Sequence, residues 1–166
     1  MIEIDNSPPP YEAATSRGLR GIFKQTVSSV AVITAGDRHP VGFTATSVTC
    51  AAVEPPVVTF GVARASRSHK VISRMNHVGI HFLRGDQERV ARTFADSDAD
   101  KFGDALDWYC GPYRIPILRN CLSSLLCDIS DRHEVSESNT LVVARVMSIR
   151  EVTEAGPLTY GDGRYH

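Results

Sequence analysis

The sequence predicts a single mainly-β domain, a β-barrel with short peripheral helices packed outside it. Three observations lead there. Runs of strand composition recur along the chain, and the longest, from Thr140 to Arg150, belongs in the middle of a sheet. The helical stretches between these runs are few and short. The order does not alternate strand with helix, and no Gly-x-Gly-x-x-Gly turn opens a helix, so a Rossmann architecture is disfavoured.

Residues 1 to 16 are polar and carry Pro8-Pro9-Pro10, which reads as an extended arm ahead of a domain over 17 to 166. Ser16 is placed to cap a helix in which Leu19, Ile22, Phe23 and Val27 recur at helical spacing and form a core-facing stripe. Val30 to Thr34 is an apolar strand, and Gly36-Asp37-Arg38 turns the chain back into a hairpin. After a strand ending near Val62, Ser66 or Ser68 caps a helix holding Val71, Ile72 and Met75. Val78 to Leu83 is a strand, and its His81 is expected as an interior histidine rather than a catalyst. Asp86 is expected to cap a helix with Val90 and Phe94 on its apolar face. Asp100 to Trp108 reads as a loop anchored by Phe102 and Trp108, and the segment from Pro116 to Asp128 as a turn running into a strand.

Residues 40 to 62 stand out. They read as two strands joined by an acidic corner containing Pro55-Pro56, which cannot donate to a ladder. Gly42, without a Cβ, lets backbone approach a flat group closely. Thr44, Thr46 and Ser47 gather hydroxyls beside backbone amides, a set suited to a polar ring edge or a phosphate and not to a metal. The plainer reading is a solvated strand face, because Thr is an ordinary strand residue. Ahead of the next helix, Arg67 adds charge-assisted donors where free amides could hold a phosphate.

A chain of 166 residues and net charge −1 is one soluble domain with no basic stripe, which argues against nucleic acid as a partner. No apolar run approaches a membrane span, and the N-terminus lacks the order of a signal peptide. Cys50, Cys110, Cys121 and Cys127 form no CxxC pair, so free thiols in a cytoplasmic setting are expected. The six histidines do not pair with cysteines at zinc-like spacing.

The run from Gly42 through Ser47 to Pro55-Pro56 resembles the signature of the flavin reductase family, in particular the short reductases of two-component flavin-dependent monooxygenases. Ala65-Ser66-Arg67-Ser68, Asp100-Lys101-Phe102 with Trp108, and the ending from Pro157 to His166 match in the same order. The resemblance covers about residues 19 to 166. It implies a split-barrel flavin-binding fold, usually a homodimer, that uses NADH in preference to NADPH to reduce FAD or FMN for a separate monooxygenase. It implies that Pro40, Val41, Gly42, Phe43, Thr44, Thr46 and Ser47 line the flavin ring and ribityl chain. Gly61, Val62 and Ala63 continue that wall, Arg67 and Ser68 meet the phosphate, and Thr93 and Phe94 touch the flavin. Tyr160, Gly161, Asp162 and Gly163 correspond to a nicotinamide-side segment, with His166 within reach of it, although Gly-Asp-Gly is also an ordinary polar turn. No catalytic dyad is expected, because hydride transfer from nicotinamide C4 to flavin N5 is carried by the cofactors. One departure matters. Asn139 stands where many relatives carry a histidine before the long strand, and this keeps open a non-enzymatic flavin- or haem-binding module. An oxidase of the pyridoxamine-phosphate type would need a denser cationic cluster than Arg64, Arg67 and Lys70.

Overall fold

The computed structural model describes residues 13–36, 38–151 and 155–166. Of the expected N-terminal arm, residues 1 to 12 lie outside that set, as does Asp37 of the first turn. The first helix, α1 (Ser16–Gln25), is capped by Thr15, whose hydroxyl accepts from the Gly18 N–H at 3.0 Å. The cap therefore falls one residue before the expected Ser16.

A seven-stranded antiparallel sheet forms the body. Its strands are β2 (Ala31–Ala35), β3 (Val41–Ala45), β4 (Thr49–Ala52), β5 (Val57–Ala63), β6 (His77–Phe82), β9 (Ser123–Glu134) and β10 (Asn139–Glu151), in spatial order β3-β2-β6-β9-β10-β5-β4. The stretch from 40 to 62 thus holds three strands, not two. β3 and β4 are the opposite edges of the sheet, yet only residues 46 to 48 join them. Seven flat strands would set those edges roughly 29 Å apart, at about 4.8 Å per strand. Four residue steps reach at most about 14 Å. The sheet must therefore coil until its edges approach each other.

Coiling encloses one apolar interior. Ile33, Phe60, Val62, Ile80, Val142 and Ala144 point into it and are almost wholly buried. A second cluster covers the outer face of β2, where Val30 and Val32 meet Leu83, Ala91, Phe94, Leu118 and Leu158. β2 is consequently buried on both faces, as its uninterrupted apolar run requires. The cover comes from α3 (Glu88–Ala95), the 100–108 loop, and a hairpin of β7 (Trp108–Cys110) with β8 (Pro116–Leu118). Phe102 and Trp108 fasten the loop. Trp108 Nε1 donates to the Phe102 carbonyl at 3.0 Å, and Phe102 meets Phe94 edge-on. The remaining helix, α2 (Arg67–Ile72), closes one end of the interior through Ile72.

Two local expectations are corrected. The α3 cap is Gln87, because Asp86 is held by Arg84 through paired hydrogen bonds of 2.7 and 3.0 Å. The α1 stripe is not core: Leu19, Ile22 and Phe23, and Val27 just past the helix end, are 58–66% exposed. The chain ends in a small sheet of β1 (Ser28–Ser29), β11 (Thr159–Gly161) and β12 (Arg164–Tyr165). All four cysteines are free. No helix among the described residues is long and apolar enough to cross a membrane.

Candidate functional site

Strand β3 carries the site because its two ends open onto two different concavities. At its start, Pro40, Val41 and Gly42 line a cleft of about 280 Å³ with Arg67, Ser68 and Lys101. Ser66 caps α2, its hydroxyl accepting from the His69 N–H at 3.0 Å, which leaves Arg67 exposed at the rim. Ser68 is buried and its hydroxyl lies 3.4 Å from the Gly42 carbonyl. Lys101 Nζ donates to the same carbonyl at 3.1 Å. Partial burial holds the Lys101 ammonium below the ordinary lysine range, with Asp96 pulling it up and Arg67 pushing it down. Neither Arg67 nor Lys101 forms an ion pair with a described residue. The cleft lining also carries the Asp100 carboxylate; Arg67 and Lys101 share the cleft without a direct ion pair, and their mutual repulsion eases when an anion enters. The residues present therefore fit a phosphate.

Past the other end of β3, Thr46 and Ser47 line a pocket of about 380 Å³ with Phe23, Thr26, Ser28, Thr49 and Tyr160. Six of the seven lining residues carry a hydroxyl, and two bear aromatic rings, within a surface that is more apolar than polar. Such a lining offers donors and acceptors to the polar edge of a flat heterocycle and stacking partners to its faces. Ser47 Oγ also accepts from the Gly61 N–H at 3.2 Å, so the crossing from β3 to β4 is pinned to β5.

The structure thus gathers Pro40, Val41, Gly42, Arg67 and Ser68 in one cleft, and Thr46, Ser47 and Tyr160 in the neighbouring pocket. The other expected residues are committed elsewhere. Thr44 donates its hydroxyl to the Ala91 carbonyl at 2.6 Å, and Phe43 tilts against Phe60. Val62 and Phe94 are 2% and 1% exposed, with side chains in the two cores. Thr93 bonds back to the Arg89 carbonyl within α3. Ala63 pairs with Asn139 at the mouth of β5 and β10, and the Asn139 amide donates to Ser138 Oγ. The flat group against which Gly42 packs is the Phe94 ring.

In the tail, Asp162 and Gly163 form the two-residue turn between β11 and β12, with φ of 49° and 78°. Both values are left-handed, as the tightest hairpin turn demands. Asp162 is tied to α1, its N–H donating to the Lys24 carbonyl at 2.7 Å. Gly161 is buried against Val27. His166 pairs with Thr159 through its backbone, and its Nε2 lies 3.3 Å from the Gly161 carbonyl. The plain hairpin reading accounts for this segment's geometry, while β11 still delivers Tyr160 to the pocket. Sequence reasoning placed Lys101 only in a covering loop and missed Phe23, Thr26, Ser28 and Thr49. A cation beside an aromatic anchor in Asp100-Lys101-Phe102 was the available signal for the first.

Comparison with known proteins agrees with this architecture. The flavin reductase like domain matches residues 23–166. The reductase subunit of a flavin-dependent monooxygenase from Rhodococcus jostii is 32% identical over 155 residues, covering 93% of this chain and 78% of that protein. An NADH:FMN oxidoreductase from Rhodococcus qingshengii is 30% identical over 160 residues, covering 94% and 79%. The crystal structure of a flavin reductase domain protein from an Arthrobacter species superposes with a TM-score of 0.85 at 34% identity, over 92% of this chain and 94% of that one. An NADH:FAD oxidoreductase from Streptomyces globisporus, solved with NAD and FAD fragments, gives 0.85 at 27% identity, over 94% and 96%. With the matched domain spanning both the cation cleft and the hydroxyl pocket, this chain belongs to the flavin reductase family.

Proposed function

We propose that the chain is an NAD(P)H:flavin oxidoreductase, using NADH for preference, that supplies reduced FAD or FMN to a separate monooxygenase. The observation that carries this is the layout along β3, with two cations outside any ion pair at one end and a hydroxyl and aromatic pocket at the other. One elongated ligand with a phosphate at one end and a polar ring at the other matches that order. When bound, flavin and nicotinamide supply the hydride transfer themselves.

The chain's residues bind and orient. Arg67 and Lys101 neutralise the phosphate, with Ser68 beside them, and fix the ligand's direction along β3. Thr46 and Ser47 hydrogen-bond the ring edge, where extra electron density of the reduced ring is stabilised by preorganised donors. Tyr160, held by β11, and Phe23 from α1 flank the same pocket and restrict water.

The coiled sheet with close edges supports the split-barrel reading of the fold. The exposed stripe of α1 supports a homodimer, since three large apolar side chains on one short helix, with Val27 just beyond it, call for a cover. Two exposed free thiols, Cys50 and Cys110, favour a reducing, cytoplasmic setting. The names of the Rhodococcus relatives support both the NADH dependence and the monooxygenase partner.

The test is the loss of NADH absorbance on mixing with protein, with and without FAD, FMN or riboflavin. Oxidation that rises and saturates with added flavin is expected. A second reading, a flavin- or haem-binding module without turnover, draws on Asn139, whose amide is spent on Ser138. It predicts flavin or haem binding with no NADH oxidation above the uncatalysed rate.

A further inference from the structure

A third concavity lies on the far side of the turn between β2 and β3. It holds about 310 Å³ and is lined by Arg38, His39, Lys70, Val71, Arg74 and Met75, with Gly36 at its edge. Its position is fixed by elements already in the phosphate cleft. Pro40 lines the cleft and His39 the groove, on consecutive residues of one turn. Arg67 and Ser68 line the cleft, while Lys70 and Val71 line the groove one turn further along α2. Residues three apart on a helix share a face, with about 4.5 Å of rise between them. Arg67 and Lys70 therefore carry positive charge from the cleft into the groove, where Arg74, in the turn just past α2, joins them.

Among the described residues, no carboxylate lies within ion-pair distance of Arg38, Lys70 or Arg74. The Lys70 and Arg74 side chains reach solvent, while Val71 and Met75 beneath them are half-buried. An apolar floor with a cationic rim suits a flat heterocycle that carries phosphate, and suits a bare inorganic anion less well.

We infer that this groove takes the adenylate half of FAD, which makes FAD the preferred flavin. The inference rests on the flavin reading of the cleft, because the groove begins where the flavin phosphate is placed. FMN ends at that phosphate and leaves the groove unused. FAD carries a second phosphate and an adenosine onward, toward Lys70 and Arg74. An adenylate could also come from the nicotinamide dinucleotide, and the test separates the two sources.

Isothermal titration of the full chain with FAD and with FMN reads the difference directly. FAD is expected to bind about tenfold more tightly than FMN, the return of one charge-assisted contact. In Lys70→Ala/Arg74→Ala the FAD advantage disappears, while the FMN dissociation constant stays within about twofold. Both side chains are exposed, so an unchanged melting temperature is expected. Equal affinity of the wild type for FAD and FMN overturns the inference and leaves the flavin site standing. A variant that weakens FMN as much as FAD overturns it too, since the charges then act on the first phosphate. A raised Michaelis constant for NADH, measured with FMN as the flavin and with FAD binding unchanged, reassigns the groove to the nicotinamide dinucleotide. Absence of binding by either flavin overturns the flavin reading itself, and this inference with it.

Discussion

The edge of the Phe94 ring occupies the space that a side chain on residue 42 would need. A Cβ built on Gly42 falls 2.5 Å from Phe94 Cε1 and 2.8 Å from Cδ1, with the Ile33 carbonyl at 3.1 Å behind it. Gly42 is thus required by the packing of α3 on β3. Because the ring is buried and cannot swing away, Gly42→Ala is expected to destabilise the fold by about 1–3 kcal/mol, the usual cost of overpacking. A fall in the urea midpoint at constant slope measures this. Phe94→Leu in the same chain should recover part of the loss. Strictly additive effects of the two changes would break the proposed contact.

That pair also marks how far sequence reading reached. β2, β3, β5, β6 and β10 were legible because β-branched and aromatic runs bounded by Gly, Pro and Asp leave little choice. The break at residues 46 to 48 was not. Thr-Ser-Val continues a strand pattern, and no local signal says that the next strand joins the opposite sheet edge. The α1 periodicity revealed an apolar face but not its surroundings, and the face lies open. The arginine and serine of the phosphate cleft are local to one helix start. Lys101 reaches the cleft from 59 residues beyond Gly42, a distance only tertiary structure spans.

Ser47 serves the scaffold and the pocket at once, since its Oγ accepts from Gly61 and its side chain lines the hydroxyl wall. Ser47→Ala is expected to raise the flavin Michaelis constant by an amount equal to about 0.5–1.5 kcal/mol, one net hydrogen bond. An unchanged constant with a lowered melting temperature assigns the hydroxyl to the scaffold alone.

Arg67 and Lys101 should be separable by the ligand's phosphate. Each alanine variant is expected to weaken FMN and to leave riboflavin, which lacks the phosphate, nearly untouched. Equal losses for both ligands would remove the two cations from a phosphate role. The depressed Lys101 pKa adds a pH signature. FMN affinity falls as pH rises through that lowered value, before the ordinary lysine range is reached, and Lys101→Met removes this alkaline limb. Stability takes the opposite sign. Between the folded and unfolded pKa the unfolded chain holds the extra proton, so raising pH through that window stabilises the fold.

The open stripe of α1 gives a test of assembly. Leu19 and Ile22 are 58% and 66% exposed, and neither lines the hydroxyl pocket. A dimeric wild type is expected in sedimentation, and Leu19→Glu/Ile22→Glu should sediment as a monomer with its strand content intact. A wild type that is already monomeric at micromolar concentration removes the dimer and leaves the stripe to another cover.

His81 supplies the remaining prediction, because its protons can be counted. The ring is fully buried on the outer face of β6, under the β7–β8 hairpin. Thr34 Oγ1 donates to the Pro116 carbonyl at 2.6 Å, which uses its only proton. His81 Nε2, 3.0 Å from the same oxygen, must therefore donate to it. Nδ1 is left to accept from Ser124 Oγ, also at 3.0 Å. A second ring proton would face the Ser124 hydroxyl hydrogen. Burial pushes the imidazole down to about 3, opposed by the Pro116 carbonyl and helped by the Arg150 charge. The folded protein thus refuses a proton that the unfolded chain accepts from about pH 6.5 downward. Stability should fall as pH drops from there toward about 3, and this part of the acid slope should vanish in a folded His81→Gln variant. Nitrogen chemical shifts should report a neutral ring protonated at Nε2 throughout the range in which the fold survives. Titration of His81 near its ordinary value would show that the hairpin does not seal it.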